Sequence, residues 1–124
     1  MTSLAFTSTV DVDLQPRAAD ELGLVDVTGD ANLMVHELRS TNGAEGNVWA
    51  AVVTVDPCSF SYDFAGDETL HVLEGEATVV VDGSLSVELS AGVIASFRRG
   101  TRSHWTIHSH FREFAVVTEP LPVP

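Results

Sequence analysis

Glu68-Thr-Leu-His-Val-Leu-Glu-Gly75 and Ala91-Gly-Val-Ile-Ala-Ser-Phe-Arg-Arg-Gly100 are the two stretches that decide the fold of this chain. Each is a run of residues that favour β-strands, and each is interrupted or ended by glycine, which permits tight turns. The pattern continues on both sides of them. The sequence therefore predicts strands joined by short turns through this region.

The same spacing extends over most of the chain, because short apolar runs recur about every 8 to 12 residues with turn-forming residues between them. A helical turn is indicated only near residues 18–22. The pair Asp82-Gly83 between β-forming residues predicts a hairpin with a type I′ turn. We predict strands at 33–38, 47–55, 60–64, 69–73, 77–81, 85–89, 93–97, 104–108 and 112–118. Such a protein is all-β, and the pattern is typical of a sandwich, an open barrel or a jelly roll.

The length of 124 residues allows one domain and leaves little room for a second. Hydrophobic residues make up 44% of the chain, which is enough to form a packed core. We expect a polar lead-in at residues 1–30, a folded domain at 31–118 and an extended Pro-rich tail at 119–124. The lead-in is a candidate edge strand, or a strand exchanged with a neighbouring subunit.

The N-terminal residues lack the basic and apolar regions of a signal peptide, and no apolar run approaches the roughly 20 residues of a membrane helix. Cys58 is the only cysteine, which excludes an intrachain disulfide and a Cys-rich zinc module. We therefore predict a cytoplasmic location.

The chain is strongly acidic, with 18 Asp and Glu against 6 basic residues and a formal net charge of -12. Nucleic acid and anionic membrane surfaces are therefore unsuitable partners. The basic residues are all arginine, and Arg98, Arg99, Arg102 and Arg112 fall close together. They form either a positive rim that draws in a small anionic metabolite, or a set of solvated turn residues that pair with surface carboxylates.

The stretches 68–75 and 91–100 resemble the paired signature of the cupin superfamily, and the resemblance covers roughly residues 47–117. The run Pro57-Cys-Ser-Phe-Ser-Tyr-Asp-Phe-Ala-Gly-Asp-Glu68 is similar to that of ureidoglycine aminohydrolase-like single-domain cupins. Trp49, Trp105 and Arg112 also resemble that group. The resemblance implies a cupin jelly-roll barrel, or double-stranded β-helix, made of two antiparallel sheets. It also implies a homodimer.

Most of the metal ligands that the cupin resemblance implies are replaced in this chain. The two histidine positions of the first motif hold Tyr62 and Phe64, its glutamate position holds Glu68, and the histidine position of the second motif holds Ser103. A phenyl ring cannot donate to a metal, and Tyr or Ser is a poor substitute for imidazole. We therefore predict no metal cofactor at this place. A one-residue shift of strand register near Gly100 would turn His104 toward Glu68 and restore part of a metal site.

Strand alternation places Glu68 on the pocket side of its strand, and Ser103 and Trp105 on the pocket side of theirs. His71, His104, His108 and His110 would then point outward. We take Glu68 as the candidate acid/base, because burial would raise its pKa. An alternative is that Glu68 only accepts hydrogen bonds, and that the aromatic residues only fill the core. The candidate ligand-binding residues are Tyr62, Phe64, Glu68, Ser103, Trp105 and Arg112.

Two functions follow from this pocket. The first is a non-catalytic cupin that binds a small and, because of the arginines, anionic metabolite. The second, implied by the resemblance, is a ureidoglycine aminohydrolase-like enzyme that acts on a ureide or amide with Glu68 as acid/base. The sequence leaves the choice between enzyme and binding protein open.

Overall fold

The computed structural model describes residues 4–43 and 46–119. Within these ranges it contains eleven strands and one short 3-10 helix, Ala19–Leu22. The strands are β1 (Gln15–Pro16), β2 (Leu24–Thr28), β3 (Met34–Gly43), β4 (Gly46–Val55), β5 (Cys58–Asp63), β6 (Asp67–Glu74), β7 (Glu76–Val81), β8 (Leu85–Ser90), β9 (Ile94–Phe97), β10 (Arg102–Ile107) and β11 (Phe111–Glu119). The predicted strands all appear, and the short strands β1 and β2 are additions from the lead-in.

The strands form two sheets in which the paired neighbours are antiparallel. Sheet A has the order β1-β3-β4-β11-β6-β9, and sheet B has the order β2-β5-β10-β7-β8. Consecutive strands often lie in different sheets, as they do in a jelly roll. The predicted all-β fold of two antiparallel sheets is confirmed.

The crossing from β6 in sheet A to β7 in sheet B is made at Gly75. Its φ angle is +90°, which a side chain would strain, and a Cβ atom there would lie 2.2 Å from the carbonyl oxygen of His110. Glycine is therefore required by the backbone angle and by the close passage of another chain segment. The stretch 68–75 therefore ends at the point where the chain passes from sheet A to sheet B.

The predicted hairpin forms at Asp82 and Gly83, and its loop comprises residues 82–84, because Val81 pairs with Leu85. Asp82 and Gly83 have positive φ angles, 50° and 75°, and the amide of Ser84 donates to the carbonyl of Val81 at 3.1 Å. Positive φ at both central positions defines the type I′ turn. The turn sets the register of β7 against β8.

The lead-in joins the barrel of its own chain. Strand β1 pairs with β3, β2 pairs with β5, and the 3-10 helix between them occupies the position of the predicted turn. Exchange of this segment with a neighbouring subunit stays a prediction. Most of the expected Pro-rich tail, residues 120–124, lies outside the described residues.

The core lies between the inner faces of the two sheets. Leu70, Val72, Val79 and Phe111 are at most 1% exposed, and burial alternates along β6 and β10 as strand geometry requires. Within the described ranges, no helix has the length and apolar character needed to cross a bilayer.

Candidate functional site

A cavity of about 500 Å³ opens between the inner faces of the sheets. One side is formed by residues 20–24 of the lead-in, and the rest by inward side chains of the strands. The lining comprises Asp20, Glu21, Leu22, Gly23, Leu24, Leu33, Trp49, Val53, Val55, Phe60, Tyr62, Asp63, Ala65, Glu68, Trp105, Ile107, Phe111, Glu113, Ala115 and Val117. The volume is that of a typical small-molecule pocket.

Glu68 is an inward carboxyl group near the start of β6, and it is only 7% exposed. The hydroxyl of Tyr62 donates a hydrogen bond of 3.2 Å to its Oε1 atom. Burial raises the pKa of Glu68 to about 7, because desolvation outweighs the lowering effect of the Tyr62 hydrogen bond. Burial and the nearby Glu68 charge also raise the pKa of Tyr62. The tyrosine therefore stays a neutral donor.

Glu113 is a second carboxyl group of the cavity, and the sequence argument missed it. It lies on β11 next to a register shift against β6, and its backbone partners are Val53 and Val72. The residue keeps some exposed surface, which we assign to the cavity it lines, whereas its Oε2 atom is inaccessible to solvent and has no hydrogen-bond partner among the described residues. Burial, and then repulsion from Glu68, raise the pKa of Glu113 to about 8.

A signal for Glu113 was present in the sequence. Phe111, Ala115 and Val117 share its face of β11 and are apolar, so a glutamate among them interrupts an inward apolar series. The sequence-based prediction instead chose Arg112, the preceding residue, whose side chain lies on the opposite face of the strand. Alternation counted from Phe111 would have placed Glu113 beside the pocket.

Aromatic side chains form much of the apolar wall. Phe60 and Trp105 are directly paired across β5 and β10, and their rings are stacked with centroids 5.9 Å apart. Phe111 meets Trp105 edge-on at 6.3 Å. Trp49 and Tyr62 complete the aromatic part of the lining.

Of the candidate ligand-binding residues, the structure brings Tyr62, Glu68 and Trp105 together in the cavity, and leaves Phe64, Ser103 and Arg112 outside its lining. Phe64 is 2% exposed and stacks on Phe97 at 4.6 Å, which makes it a core residue. The Ser103 hydroxyl donates to the carbonyl of Tyr62 at 2.6 Å and accepts from Trp105 Nε1 at 3.0 Å. It therefore holds its neighbours in place.

The arginine cluster does not reach the cavity. Arg98, Arg99 and Arg102 are exposed, and the Nη1 atom of Arg112 donates to the carbonyl of Thr9 at 2.9 Å. The charged side chains that do line the cavity are all acidic: Asp20, Glu21, Asp63, Glu68 and Glu113. The anionic ligand expected from the arginines has no basic counterpart in this lining, because those side chains lie on the outside of the barrel.

The histidines of the described strands and turns lie on the outer surface. The register of β10 against β5 is regular from Arg102 to Ile107, so no slip turns His104 inward; its ring contacts Ser61 Oγ at 3.2 Å. His108 bonds to Thr78, and His110 pairs with Asp56. His71 is exposed on β6.

The residues present do not fit the metal that cupins commonly hold. Residues 4–43 and 46–119 contain no group of three His, Cys, Asp or Glu side chains arranged to bind a metal ion. At the usual ligand positions, Phe64 has no donor atom and the Ser103 hydroxyl is already bonded. We derive no chemistry through a metal at this site.

Comparison with known proteins identifies the family. Residues 42–114 match the family Cupin_3, the EutQ-like cupin domain. No match was found among curated proteins.

Solved structures of similar fold include the ethanolamine utilization protein EutQ of Salmonella typhimurium LT2, which is 21% identical, with a TM-score of 0.60 over 69% of this chain and 68% of that one. EutQ of Clostridium difficile is 19% identical, with a TM-score of 0.60 over 88% and 81%. An RmlC-like cupin of Shewanella frigidimarina is 15% identical, with a TM-score of 0.66 over 96% and 93%. At these identities the structures show a shared fold. Because the family match covers more than half of the sequence, this chain belongs to the EutQ-like cupin domain family.

Proposed function

We propose that this chain is a small-molecule-binding cupin whose ligand occupies the cavity between the two sheets. The observation that carries the proposal is Glu68, a buried carboxyl group hydrogen-bonded to Tyr62 in the wall of a cavity of about 500 Å³. Ligand pockets commonly combine an apolar wall with a few well-placed polar groups.

The wall supports binding of a molecule with both an apolar part and a polar group. Phe60 and Trp105 supply a flat apolar surface, and Glu68 supplies acceptor oxygens, one of which already accepts from the hydroxyl of Tyr62. An inward carboxyl group in such a wall has a desolvation penalty that hydrogen bonds or protonation offset. A bound polar group would add to the single bond from Tyr62.

The proposal is tested by thermal unfolding in the presence of a metabolite panel. A ligand that binds only the folded state raises Tm, and the added stability grows with the logarithm of one plus its concentration over Kd. The panel includes ureides, amides, organic acids and amines, among them ethanolamine, since the Salmonella protein of similar fold is named for ethanolamine utilization.

We expect at least one compound to raise Tm of the wild type, and Glu68→Gln to reduce that shift. The matched control is Glu74→Gln, which removes the same charge from an exposed position at the end of the same strand. A panel without any shift contradicts the proposal. An equal Tm shift in the Glu68→Gln variant and the wild type contradicts a role of Glu68 in binding.

The second candidate is the ureidoglycine aminohydrolase-like activity implied by the sequence resemblance. Its support is the raised pKa of Glu68, about 7, which suits proton transfer near neutral pH. We expect turnover of a ureide or amide by the wild type and its loss in Glu68→Gln with unchanged folding. Absence of turnover across such substrates removes this candidate and leaves the binding function standing.

The homodimer and the cytoplasmic location implied at the start remain predictions. Phe6 and Val10 of the lead-in are 84% and 83% exposed, which is compatible with contact to a second copy. Analytical ultracentrifugation that shows only monomer at micromolar concentration contradicts the dimer.

A further inference from the structure

The carboxyl group of Glu113 has one oxygen, Oε2, for which the described residues supply no hydrogen-bond donor. Its Oε2 atom is inaccessible to solvent and unpartnered in the part of the chain that the structure describes, while the residue itself lines the cavity. Buried polar atoms are almost always hydrogen-bonded in native proteins. A carboxyl group with one oxygen desolvated and unpartnered is unfavourable as an anion, so a cation that enters the cavity beside it is bound favourably.

Among the described residues, the cavity lining includes no cationic side chain to compensate this carboxyl group. Its titratable side chains come from the 3-10 segment, β5, β6 and β11, and they are Asp20, Glu21, Tyr62, Asp63, Glu68 and Glu113. Arg112 precedes Glu113, but it belongs to the outer face, where it bonds to the carbonyl of Thr9. Two carboxyl groups in such a wall repel each other when both are ionised, so they either keep a proton or bind a positive charge beside them.

The remainder of the wall is suited to the carbon part of a cation. Trp49, Phe60, Trp105 and Phe111 line the cavity together with Tyr62, and the negative face of an aromatic ring attracts an ammonium group or the polarised carbons next to it. The net charge of -12 also concentrates small cations at the protein surface. Charge, hydrogen-bonding capacity and apolar surface thus favour the same class of ligand.

We propose that the cavity binds a small primary ammonium ion, with the ammonium group held by Glu68 and Glu113 and the carbon chain against the aromatic wall. The inference rests on the proposed binding function and names the chemical class of its ligand. A primary ammonium is favoured over a quaternary one because its N–H groups donate to carboxylate oxygens.

The test uses three probes with the same four-carbon chain: n-butylammonium chloride, 1-butanol and sodium butyrate. They carry a cationic, a neutral and an anionic head group. Thermal unfolding and isothermal titration calorimetry are performed at about pH 8.5, where both carboxyl groups are mostly ionised and an alkylammonium keeps its proton. Sodium chloride matches the ionic strength of the charged probes. We expect n-butylammonium to raise Tm, and the other two probes to have much smaller effects.

Glu113→Gln keeps the size of the side chain and removes its charge. We expect it to weaken n-butylammonium binding by roughly tenfold to a hundredfold, the usual effect of a charge-assisted hydrogen bond. Glu74→Gln makes the same change in net charge at an exposed position of β6 and should leave the affinity unchanged. Equal losses in both variants would assign the effect to general electrostatics and overturn the inference.

The probe series also separates this inference from the proposed function. Stabilisation by 1-butanol equal to that by n-butylammonium overturns the ammonium inference and leaves small-molecule binding standing. Preference for butyrate overturns it as well. No response to n-butylammonium overturns the inference, while the wider metabolite panel still decides whether the cavity binds another compound. Because the probe series needs only the wild-type protein, it stands even if a variant fails to fold.

Discussion

The hydroxyl group of Tyr62 on β5 donates to Oε1 of Glu68 on β6, so this 3.2 Å hydrogen bond joins sheet B to sheet A. The bond lowers the pKa of Glu68, but the burial of the carboxyl raises it more. Glu68 is therefore held in position and remains close to its titration point at neutral pH.

Stability should fall as the pH rises through neutrality. The folded protein holds the protons of Glu68 and Glu113 with pKa values of about 7 and about 8, against an ordinary value of 4.5. A raised folded-state pKa contributes stability that is full below the unfolded pKa and is lost as the pH rises through the folded pKa. The loss is at most about 1.4 kcal/mol per pH unit for each group. Urea unfolding between about pH 5 and pH 8.5 measures it.

The control for this pH dependence is again Glu74→Gln, which should keep the slope, whereas Glu68→Gln and Glu113→Gln should flatten it. A wild-type stability that rises with pH over this window would show that the two carboxyl groups are not buried as described.

Tyr62→Phe should raise the pKa of Glu68 further, since it removes the hydrogen bond that lowers it. The loss of this bond should also decrease the free energy of unfolding by about 1 kcal/mol. Carbon-13 NMR of labelled glutamate side chains follows the titration directly. An unchanged titration would mean that the phenol and the carboxyl are not bonded in solution.

Ser103→Ala should destabilise the fold without weakening ligand binding. The serine hydroxyl donates to the carbonyl of Tyr62 and accepts from Trp105 Nε1, but it does not line the cavity. Its removal leaves the buried Trp105 donor without this partner, at about 1 to 3 kcal/mol. Ser61→Ala, next to His104 on the outer surface, is the control and should change stability by less than about 0.5 kcal/mol. Weaker ligand binding in the Ser103 variant, at conditions where it is folded, would restore a direct binding role.

Gly75→Ala should be far more destabilising than Gly83→Ala. Both glycines have positive φ, but only at Gly75 would the new Cβ meet backbone, at 2.2 Å from the His110 oxygen. At Gly83 nothing lies within 4 Å, so the substitution should decrease the free energy of unfolding only by the backbone term of about 1 to 2 kcal/mol. Similar losses in both variants, measured by urea unfolding, would contradict the close crossing of the chains.

The purified protein should contain no stoichiometric transition metal at the usual cupin position, and a chelator should not lower its Tm. At that position Phe64 has no donor atom, and the hydroxyl of Ser103 is already hydrogen-bonded to Tyr62 and Trp105. Elemental analysis that finds one equivalent of iron, manganese or zinc would contradict this prediction.

The sequence was sufficient for the strands, because alternation and glycine spacing are local signals. It placed Glu68 and Trp105 inward for the same reason. It could not show that Ser103, although inward, is closed off by bonds to Tyr62 and Trp105, since those partners depend on how strands pair. Glu113 is a different case: its alternation was readable, but the neighbouring arginine cluster suggested a positive site. The cavity is acidic because the arginines lie on the outer surface and the charged side chains of the lining are carboxylic acids. This separation depends on the three-dimensional fold.

Residues 20–24 form one side of the cavity wall, and this position affects how the ligand preference of the pocket can change. These residues lie between β1 and the start of β2, and they line the cavity on one side. Substitutions there can reshape ligand preference while the residues that specify the barrel stay constant. New specificity in this lineage can therefore arise through the entry segment of the chain, without repacking the jelly roll.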